Sequence, residues 1–370
     1  MWSPCEMHGL LILAVFYFPA MVLAAGKGKL HRPFNNSLTA IFVFGDSTVD
    51  AGNNNNVMTV LKSNFRPYGI DFPNKKATGR FSNGRLVTDL IGEKISAAYT
   101  GLKEYVPAYA QTNLSIEELM TGVSFASGGS GFDVRTSNSL GVITIKKQVE
   151  NFRELTTKLA KKLGKKKTKS LIEKSVFVVS AGSNDIFIGL YSSMFRTDER
   201  VDRFLNKMVE YAKEFLHDLR KAGARNIAVV GLSKIGCAPA VVTVNPGEGG
   251  MFERNCNESM SADAMKFNKK FVKAIDEIQS DNFRIFYVDT YKPMVEMVKD
   301  PSKFGFENID KGCCGSGLLE MTMLCNPVSY ICPDRSKYIF FDSVHPSEAA
   351  YKNIFKALRP TIDEAINFFS

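Results

Sequence analysis

Histidine is scarce in this chain, which has four in 370 residues: His8, His31, His217 and His345. The first two lie close to the amino terminus. His217 falls inside an amphipathic stretch, where a solvated or packed surface role is the simpler interpretation. Because histidine is the commonest general base in enzymes, a base in this chain is best sought at His345.

Several motifs that mark common enzyme classes are also missing. No Gly-x-Ser-x-Gly elbow is present, which argues against the usual α/β-hydrolase arrangement. The glycine-rich segment Ser127–Gly131 matches neither the dinucleotide fingerprint nor the Walker-type phosphate loop. A zinc site is not indicated, because the chain has no Cys-x-x-Cys pair and no histidine at ligand spacing. We therefore expect no metal and no organic cofactor.

The net charge of +9 is moderate, and much of it comes from one lysine-rich segment, residues 161–169. Such a segment can attract nucleic acids or anionic surfaces. Here it has no interleaved aromatic residues and no accompanying nucleic-acid-binding motif. A solvated helix end and loop is the preferred interpretation, and we expect no nucleic-acid partner.

The amino terminus resembles a secretory signal. Residues 9–25 are almost wholly apolar, and small residues near Ala24 offer a cleavage position. The preceding region lacks Lys and Arg, but a membrane anchor is disfavoured because the run is short and Pro19 interrupts it. We predict a signal peptide over residues 1–25, a single mature domain over 26–370, and an extracellular protein with no stable transmembrane segment.

Cysteine usage is consistent with an oxidising compartment. Cys5 would leave with the signal, so an even number remains. These six allow fifteen pairings, and the sequence does not choose among them; adjacent Cys313 and Cys314 are expected to have different partners. The six are Cys237, Cys256, Cys313, Cys314, Cys325 and Cys332.

Three Asn-x-Ser/Thr triplets permit glycans on a secreted chain, although such triplets also arise by chance. They begin at Asn35, Asn113 and Asn257.

Apolar runs of strand length alternate with amphipathic helical stretches, which predicts one α/β domain with parallel strands and right-handed crossovers. The predicted strands are Ala40–Phe44, Val123–Ala126, Val176–Ser180, Ile227–Gly231 and Ile285–Val288. The predicted helices are Leu86–Ala97, Ile145–Leu163, Arg200–Lys221 and Met260–Gln279, with a final helix from Pro346 to about Leu358.

Unusual polar or glycine-rich turns follow the first three runs. Ser47 follows the first, Gly128 and Gly129 the second, and Asn184 the third. Because ligands bind beyond the carboxyl ends of parallel strands, these residues are expected at one edge of the sheet.

Those residues suit nucleophilic catalysis. A serine hydroxyl needs a base to remove its proton, and Asp342 precedes His345 by three residues, close enough to orient the ring. The alternative is that Asp342 caps the following helix and His345 is a loop residue. Backbone N–H groups of Ser47 and Gly129 and the amide of Asn184 are candidate oxyanion donors. Taken singly, the glycines also suit a flexible loop and Asn184 a turn.

Taken together, these segments resemble the plant GDSL esterase/lipases of the SGNH hydrolase superfamily. Phe44–Ser47, with Asp50 and the asparagines after it, is similar to their first block. Phe125–Gly129, Gly182–Asp185 and Asp342–Pro346 are similar to the other three, and the resemblance spans nearly the whole mature chain, including Gly79–Arg85 and the Cys313–Cys314 segment.

The resemblance implies a three-layer α/β/α, flavodoxin-like fold with a five-stranded, mostly parallel sheet. It also implies Ser47 as nucleophile and first oxyanion donor, Gly129 and Asn184 as further donors, His345 as base and Asp342 as its orienting partner. Ser124 stands where the family often has asparagine, and residues 122–125 resemble an extracellular lipase subgroup of pollen coats.

These observations predict a secreted carboxylic ester hydrolase acting on small acyl esters or lipids at the cell wall or a surface coat. One alternative is an acyltransferase that passes the same acyl group to an alcohol in cutin or wall chemistry. The other is a non-catalytic lipid- or carbohydrate-binding protein on the same fold.

Overall fold

The computed structural model describes residues 38–99, 105–191 and 197–369. The predicted signal peptide (1–25), the start of the mature domain at residue 26 and the sequon at Asn35 lie outside these ranges. So do Cys5, His8 and His31.

Four parallel strands form the central sheet in the order β1-β2-β3-β4. They are β1 (Ile41–Gly45), β2 (Val176–Ser180), β3 (Asn226–Val230) and β4 (Arg284–Val288). A separate parallel pair consists of β5 (Asn308–Gly312) and β6 (Tyr338–Phe340). Four of the five predicted strands are thus regular strands, with ends within one residue of the prediction.

The fifth predicted strand, Val123–Ala126, is an irregular segment at the outer edge of β1. The N–H of Val43 donates to the Val123 carbonyl at 3.0 Å, and the N–H of Phe125 donates to the Val43 carbonyl at 2.7 Å. Between this segment and β1, a single residue pair in the described structure, Val43 with Ser124, forms a regular bridge. Counting this segment, the strand order by chain position is 2-1-3-4-5, the flavodoxin-like order, with its switch point beside β1.

Helices cover both faces of the sheet in the part of the chain described. They are α1 (Val87–Tyr99), α2 (Ile116–Met120), α3 (Val134–Ser139), α4 (Ile145–Leu163), α5 (Lys165–Glu173), α6 (Asp198–Lys221), α7 (Pro239–Val244), α8 (Gly250–Glu253), α9 (Glu258–Ile278), α10 (Tyr291–Lys299) and α11 (Glu348–Phe369). None of the helices in these described ranges is both long enough and apolar enough to span a bilayer.

Side chains of the strands alternate between the two helical layers, as the pleat requires. On β2, Phe177 packs against Phe152 of α4, with ring centroids 5.3 Å apart. Its neighbours Val176 and Val178 line an apolar space beneath α1 and α11 on the opposite face. On one face α6 contacts both α4 and α9, and on the other face α11 contacts both α1 and α10, which gives the three-layer α/β/α architecture.

The last helix differs from the prediction at both ends. It begins at Glu348, because Pro346 pairs with Phe340 in an antiparallel bridge and the Ser347 hydroxyl caps the helix by accepting the N–H of Ala350 at 3.1 Å. It continues through Pro360 to Phe369. The buried apolar face includes Leu358 before the proline and persists beyond it at Ile362, Ala365, Ile366 and Phe369.

The lysine-rich segment spans the end of α4 and the start of α5. All its lysines are exposed, as expected of a solvated helix end. Helix α4 runs from Ile145, near the carboxyl edge of the sheet, back to the amino edge where β2 begins. The segment therefore lies at the end of the sheet opposite to the turn that carries Ser47.

Candidate active site

Ser47 lies in the turn after β1, at the carboxyl edge of the sheet. Gly45 ends the strand with φ 138°, and a Cβ there would collide with the carbonyl oxygen of Ser180 on β2, so the chain can turn here only through glycine. Asp46 Oδ1 then accepts the N–H of Thr48 at 3.0 Å and its hydroxyl at 2.7 Å. This turn places Ser47, 9% exposed, at the wall of a cavity.

Asp342 and His345 are joined by a short hydrogen bond between His345 Nδ1 and Asp342 Oδ2, 2.7 Å long. Asp342 Oδ1 also accepts the backbone N–H groups of Val344 at 2.8 Å and His345 at 2.7 Å, which fixes the carboxylate relative to the ring. Asp342 is fully buried and His345 is 6% exposed. The helix-cap alternative does not hold, since Ser347 caps α11.

The turn after the edge segment presents the N–H of Gly129, whose φ is 90°. Its neighbour Gly128 donates its own N–H to Asp50 Oδ2 at 2.9 Å. Within the ranges described, the N–H groups of Gly129 and Ser47 have no hydrogen-bond acceptor in the protein. Gly129 is therefore the glycine with a free donor at the cavity.

Asn184 follows β2, and its side chain reaches across to the same turn. Its Nδ2 donates one hydrogen to the carbonyl of Ser130 at 2.9 Å. A carboxamide nitrogen has two hydrogens, so one remains for a ligand in the cavity that Asn184 lines. The switch point thus brings together three donor groups from three separate turns.

The cavity at this edge has a volume of about 820 Å³ and a mostly apolar wall. Ser47, Gly129, Asn184 and His345, four of the five residues singled out from the sequence, line it; Asp342 lies behind His345. Apolar side chains from distant parts of the chain line the rest: Leu61, Phe81, Leu140, Phe187, Ile188, Val241, Val244, Met260, Met321 and Val344. The space suits an extended apolar group with one reactive polar end.

Burial changes the acidity of the carboxyl groups that hold these turns. It raises the pKa of Asp46 to about 6, although the Thr48 hydrogen bonds and the nearby His345 act in the opposite direction. Burial likewise raises the pKa of Asp50 to about 6 against its backbone hydrogen bonds. No three His, Cys, Asp or Glu side chains in the described part of the chain are grouped as metal ligands.

The six cysteines predicted to form disulfides do so. Cys237 pairs with Cys256. The adjacent Cys313 and Cys314 have different partners, as expected: Cys313 pairs with Cys332 and Cys314 with Cys325. The last bond closes a loop whose residues Met321 and Thr322 line the cavity, so this disulfide supports the cavity wall directly.

Of the two sequons within the described ranges, one is exposed and one is buried. Asn113 is exposed. Asn257 is buried: its Oδ1 caps α9 by accepting the N–H of Met260 at 2.7 Å, and its Nδ2 donates to the carbonyl of Asn245 at 2.9 Å. The Asn257 amide is thus used inside the folded protein. Glycosylation of the three sequons stays a prediction.

The Gly79–Arg85 segment supports the site from behind. Arg80 is buried and pairs with Asp89 at 2.7 Å, and Phe81 places its ring centroid 5.0 Å from that of His345. The side-chain oxygen Oδ1 of Asn83 accepts the N–H of Glu348 at 2.9 Å, which ties the segment to the start of α11.

Two supporting residues were not found from the sequence. Tyr68 donates its hydroxyl hydrogen to Asp342 Oδ2 at 2.7 Å. Gln148 of α4 bonds both the N–H and the carbonyl of Gly45 at 2.9 Å. Both act across more than a hundred residues of chain, and neither lies in a motif, so the single sequence contains no signal for them.

Comparison with known proteins agrees with this arrangement. A family model described as GDSL-like lipase/acylhydrolase matches residues 41–358. Among curated proteins, one GDSL esterase/lipase of Arabidopsis thaliana is 47% identical over 339 residues, covering 90% of this chain and 89% of that protein. Two others from the same plant are 42% identical over 322 residues (86% and 88% covered) and 40% identical over 347 residues (93% and 95% covered). The chain belongs to the GDSL esterase/lipase family of carboxylic ester hydrolases.

Proposed function

We propose that the protein is a secreted esterase that cleaves acyl esters through a covalent intermediate on Ser47. The observation that carries the proposal is the 2.7 Å bond from His345 to the buried Asp342, with His345 and Ser47 lining one cavity. A histidine oriented by a buried carboxylate, with a serine on the wall of the same cavity, is the arrangement that activates a hydroxyl nucleophile.

In the first half of the reaction, Ser47 Oγ attacks the ester carbonyl carbon while His345 Nε2 takes the hydroxyl proton. The carbonyl oxygen becomes an oxyanion, which the N–H groups of Ser47 and Gly129 and the amide of Asn184 stabilise. Collapse of the intermediate breaks the carbon–oxygen bond to the alcohol, and His345 returns the proton to the leaving oxygen. An acyl group remains on Ser47.

In the second half, water takes the place of the alcohol. His345 removes a proton from the water as it attacks the acyl carbon, and the same donors hold the oxyanion. Collapse then breaks the bond to Ser47 Oγ, which recovers its proton from His345. The products are a carboxylic acid, an alcohol and unchanged enzyme.

Secretion is supported by the three disulfides, since such bonds persist in oxidising compartments. The apolar segment within residues 9–25 is the proposed signal, and residues 26–370 the mature domain. The apolar cavity favours substrates with an aliphatic acyl chain, and thus lipid esters.

Replacing the nucleophile tests the mechanism. We expect Ser47→Ala to lower kcat on a p-nitrophenyl ester by at least about a thousandfold and to abolish fluorophosphonate labelling. Ser343→Ala is a matched control, because Ser343 follows Asp342 in the chain and its buried hydroxyl has no hydrogen-bond partner in the described structure. Turnover by Ser47→Ala at the control's rate would remove Ser47 from the mechanism.

Replacing the orienting carboxylate tests the role of Asp342. We expect Asp342→Asn to lower kcat strongly and to leave KM nearly unchanged, because Asp342 contacts His345 and not the cavity. A loss confined to KM would contradict the orienting role. Product analysis with added glycerol separates hydrolysis from acyl transfer to an alcohol.

A further inference from the structure

The hydroxyl of Tyr68 is held between two partners whose roles are fixed. The backbone N–H of Thr322, which can only donate, reaches the Tyr68 oxygen at 2.7 Å. The same oxygen lies 2.7 Å from Asp342 Oδ2. Because Tyr68 accepts from Thr322, its own hydrogen must point to Asp342. Tyr68 therefore donates to the oxygen that also receives the hydrogen of His345 Nδ1.

The hydrogen bond from Tyr68 completes the set of donors around the buried carboxylate of Asp342. Asp342 Oδ1 has two backbone donors, and Oδ2 has the tyrosine and the histidine, so all four acceptor positions are used. Tyr68 itself is fully buried, with its ring edge-on to that of Phe341. Burial and the adjacent Asp342 raise the pKa of Tyr68 well above its usual value, so the phenol stays a hydrogen donor.

We propose that Tyr68 is a positioning residue for the ester hydrolysis, which holds Asp342 in register with His345 and ties both to the loop that lines the substrate cavity. The inference rests on the proposed roles of Ser47, His345 and Asp342. Thr322 belongs to the loop closed by the Cys314–Cys325 bond, and it lines the cavity with Met321. One hydroxyl thus links the wall of the cavity to the group that orients the base.

Loss of the Tyr68 hydroxyl has two consequences for the hydrogen-bonded pair of Asp342 and His345. Asp342 loses a donor and one of its restraints, so the ring of His345 is held less accurately and kcat falls. The charge of Asp342 is also less balanced, so it favours the protonated, inactive imidazolium more strongly. As the pH is lowered, the variant should therefore lose its activity at a higher pH than the wild type.

Other titratable and charged groups around Asp342 and His345 also influence the pH at which activity is lost. The titratable groups that face this pair from the packed elements are Asp46 in the turn after β1 and Tyr351 on α11. The Gly79–Arg85 segment behind it carries two ion pairs, Arg80 with Asp89 and Arg85 with Glu348. All of these stay unchanged in a Tyr68 variant, so a shift reports the missing hydroxyl.

The test compares the pH–rate profile of Tyr68→Phe with that of Tyr351→Phe. Tyr351 is a matched control, because its hydroxyl is also buried but has no hydrogen-bond partner in the described structure. Rates are expressed per active site titrated with a fluorophosphonate, which removes any misfolded fraction. For Tyr68→Phe we expect kcat to fall roughly tenfold, KM to stay within about twofold, and the acid limb to rise by about half a pH unit.

A second variant at Tyr68 keeps the fold even if the Tyr68→Phe protein does not fold. Site-specific replacement of Tyr68 by 3-fluorotyrosine retains the ring and the hydroxyl but makes the phenol a stronger donor. The acid limb should then move to lower pH. An unmoved acid limb in either folded Tyr68 variant would overturn the inference and leave Tyr68 as a packing residue. Failure of the wild type to be labelled at Ser47 would instead overturn the proposed function.

Discussion

Asp50 Oδ2 accepts the backbone N–H of Gly128 at 2.9 Å, and this bond leaves Gly129 as the glycine of its turn with a free donor at the cavity. The same carboxylate, through Oδ1, holds the N–H groups of Gly52 at 2.8 Å and Asn53 at 2.7 Å. Asp50 thus joins the turn after β1, which carries Ser47, to the turn that carries Gly129. This one side chain therefore contributes to the spacing of two proposed oxyanion donors.

The isosteric change Asp50→Asn tests this dependence. An amide nitrogen in place of Oδ2 would face the Gly128 N–H with a second donor, so the glycine turn should move away. We expect kcat to fall by about ten- to a hundredfold, less than for the complete loss of an oxyanion donor, with KM little changed. Asp334→Asn, at an exposed cap remote from the cavity, is the control. Equal kcat in both variants would show that the bond is not needed.

Gln148 gives a second prediction about the same edge of the sheet. Its side chain bonds both backbone groups of Gly45, and its Nε2 also contacts the Ser130 hydroxyl at 3.1 Å. Gln148→Leu would leave the buried N–H of Gly45 without a partner. We expect a loss of about 2 kcal/mol in the free energy of unfolding and a roughly tenfold fall in kcat. Urea denaturation and steady-state kinetics measure the two effects.

The matched comparison is with Gln279, an exposed glutamine at the end of α9. Gln279→Leu removes the same functional group without leaving a buried donor unpaired. If the two variants lose the same stability and activity, the contacts of Gln148 do not hold the turn.

The sheet and its functional edge could be predicted from the sequence because the information is local. Each strand of the central sheet contains a short apolar run, and Ser47 and Asn184 follow their runs within a few residues. Asp342 and His345 are three residues apart, so their pairing needs no long-range knowledge. The irregularity of Val123–Ala126 was not predictable, since its bridge to Val43 depends on how the edge packs.

The rest of the site depends on contacts between distant segments. Tyr68 reaches Asp342 across 274 residues. The sequon at Asn257 matches the glycan pattern, but the folded chain uses its side chain as a helix cap. Pro346 has the residue type of a first helical position, yet it pairs with Phe340 and delays the helix. In each case tertiary packing decides between two locally acceptable structures.

The Cys314–Cys325 bond leads to a prediction about substrate size. Removing a disulfide that closes a short loop costs about 3 kcal/mol in the chain-entropy account. Because Met321 and Thr322 in that loop line the cavity, the Cys314→Ser, Cys325→Ser double variant should also raise KM for long-chain esters more than for acetate esters. A chain-length series on both proteins measures this, and a uniform rise in KM would contradict it.

The buried carboxyl group of Asp185 leads to a prediction of how the free energy of unfolding depends on pH. It is buried beneath the turn of Phe132 and Asp133: its Oδ2 accepts the N–H of Phe132 at 2.8 Å, and its Oδ1 accepts the N–H of Asp133 at 3.0 Å. Burial raises its pKa to about 7, against the Thr136 and backbone hydrogen bonds. Burial likewise raises the pKa of Asp46 to about 6.

A carboxyl group whose pKa is higher in the folded than in the unfolded chain binds more protons when folded, so its contribution to stability is present at low pH and lost as pH rises. For Asp185 this loss should occur between about pH 4 and pH 7, from the unfolded value to the folded value of about 7. Asp185→Asn cannot titrate, so its free energy of unfolding should depend less steeply on pH across that range. Urea denaturation at pH 4.5, 6 and 7.5 measures the slope for both proteins. The exposed Asp300→Asn should keep the wild-type slope, and an Asp185→Asn slope equal to it would show that Asp185 is already ionised throughout.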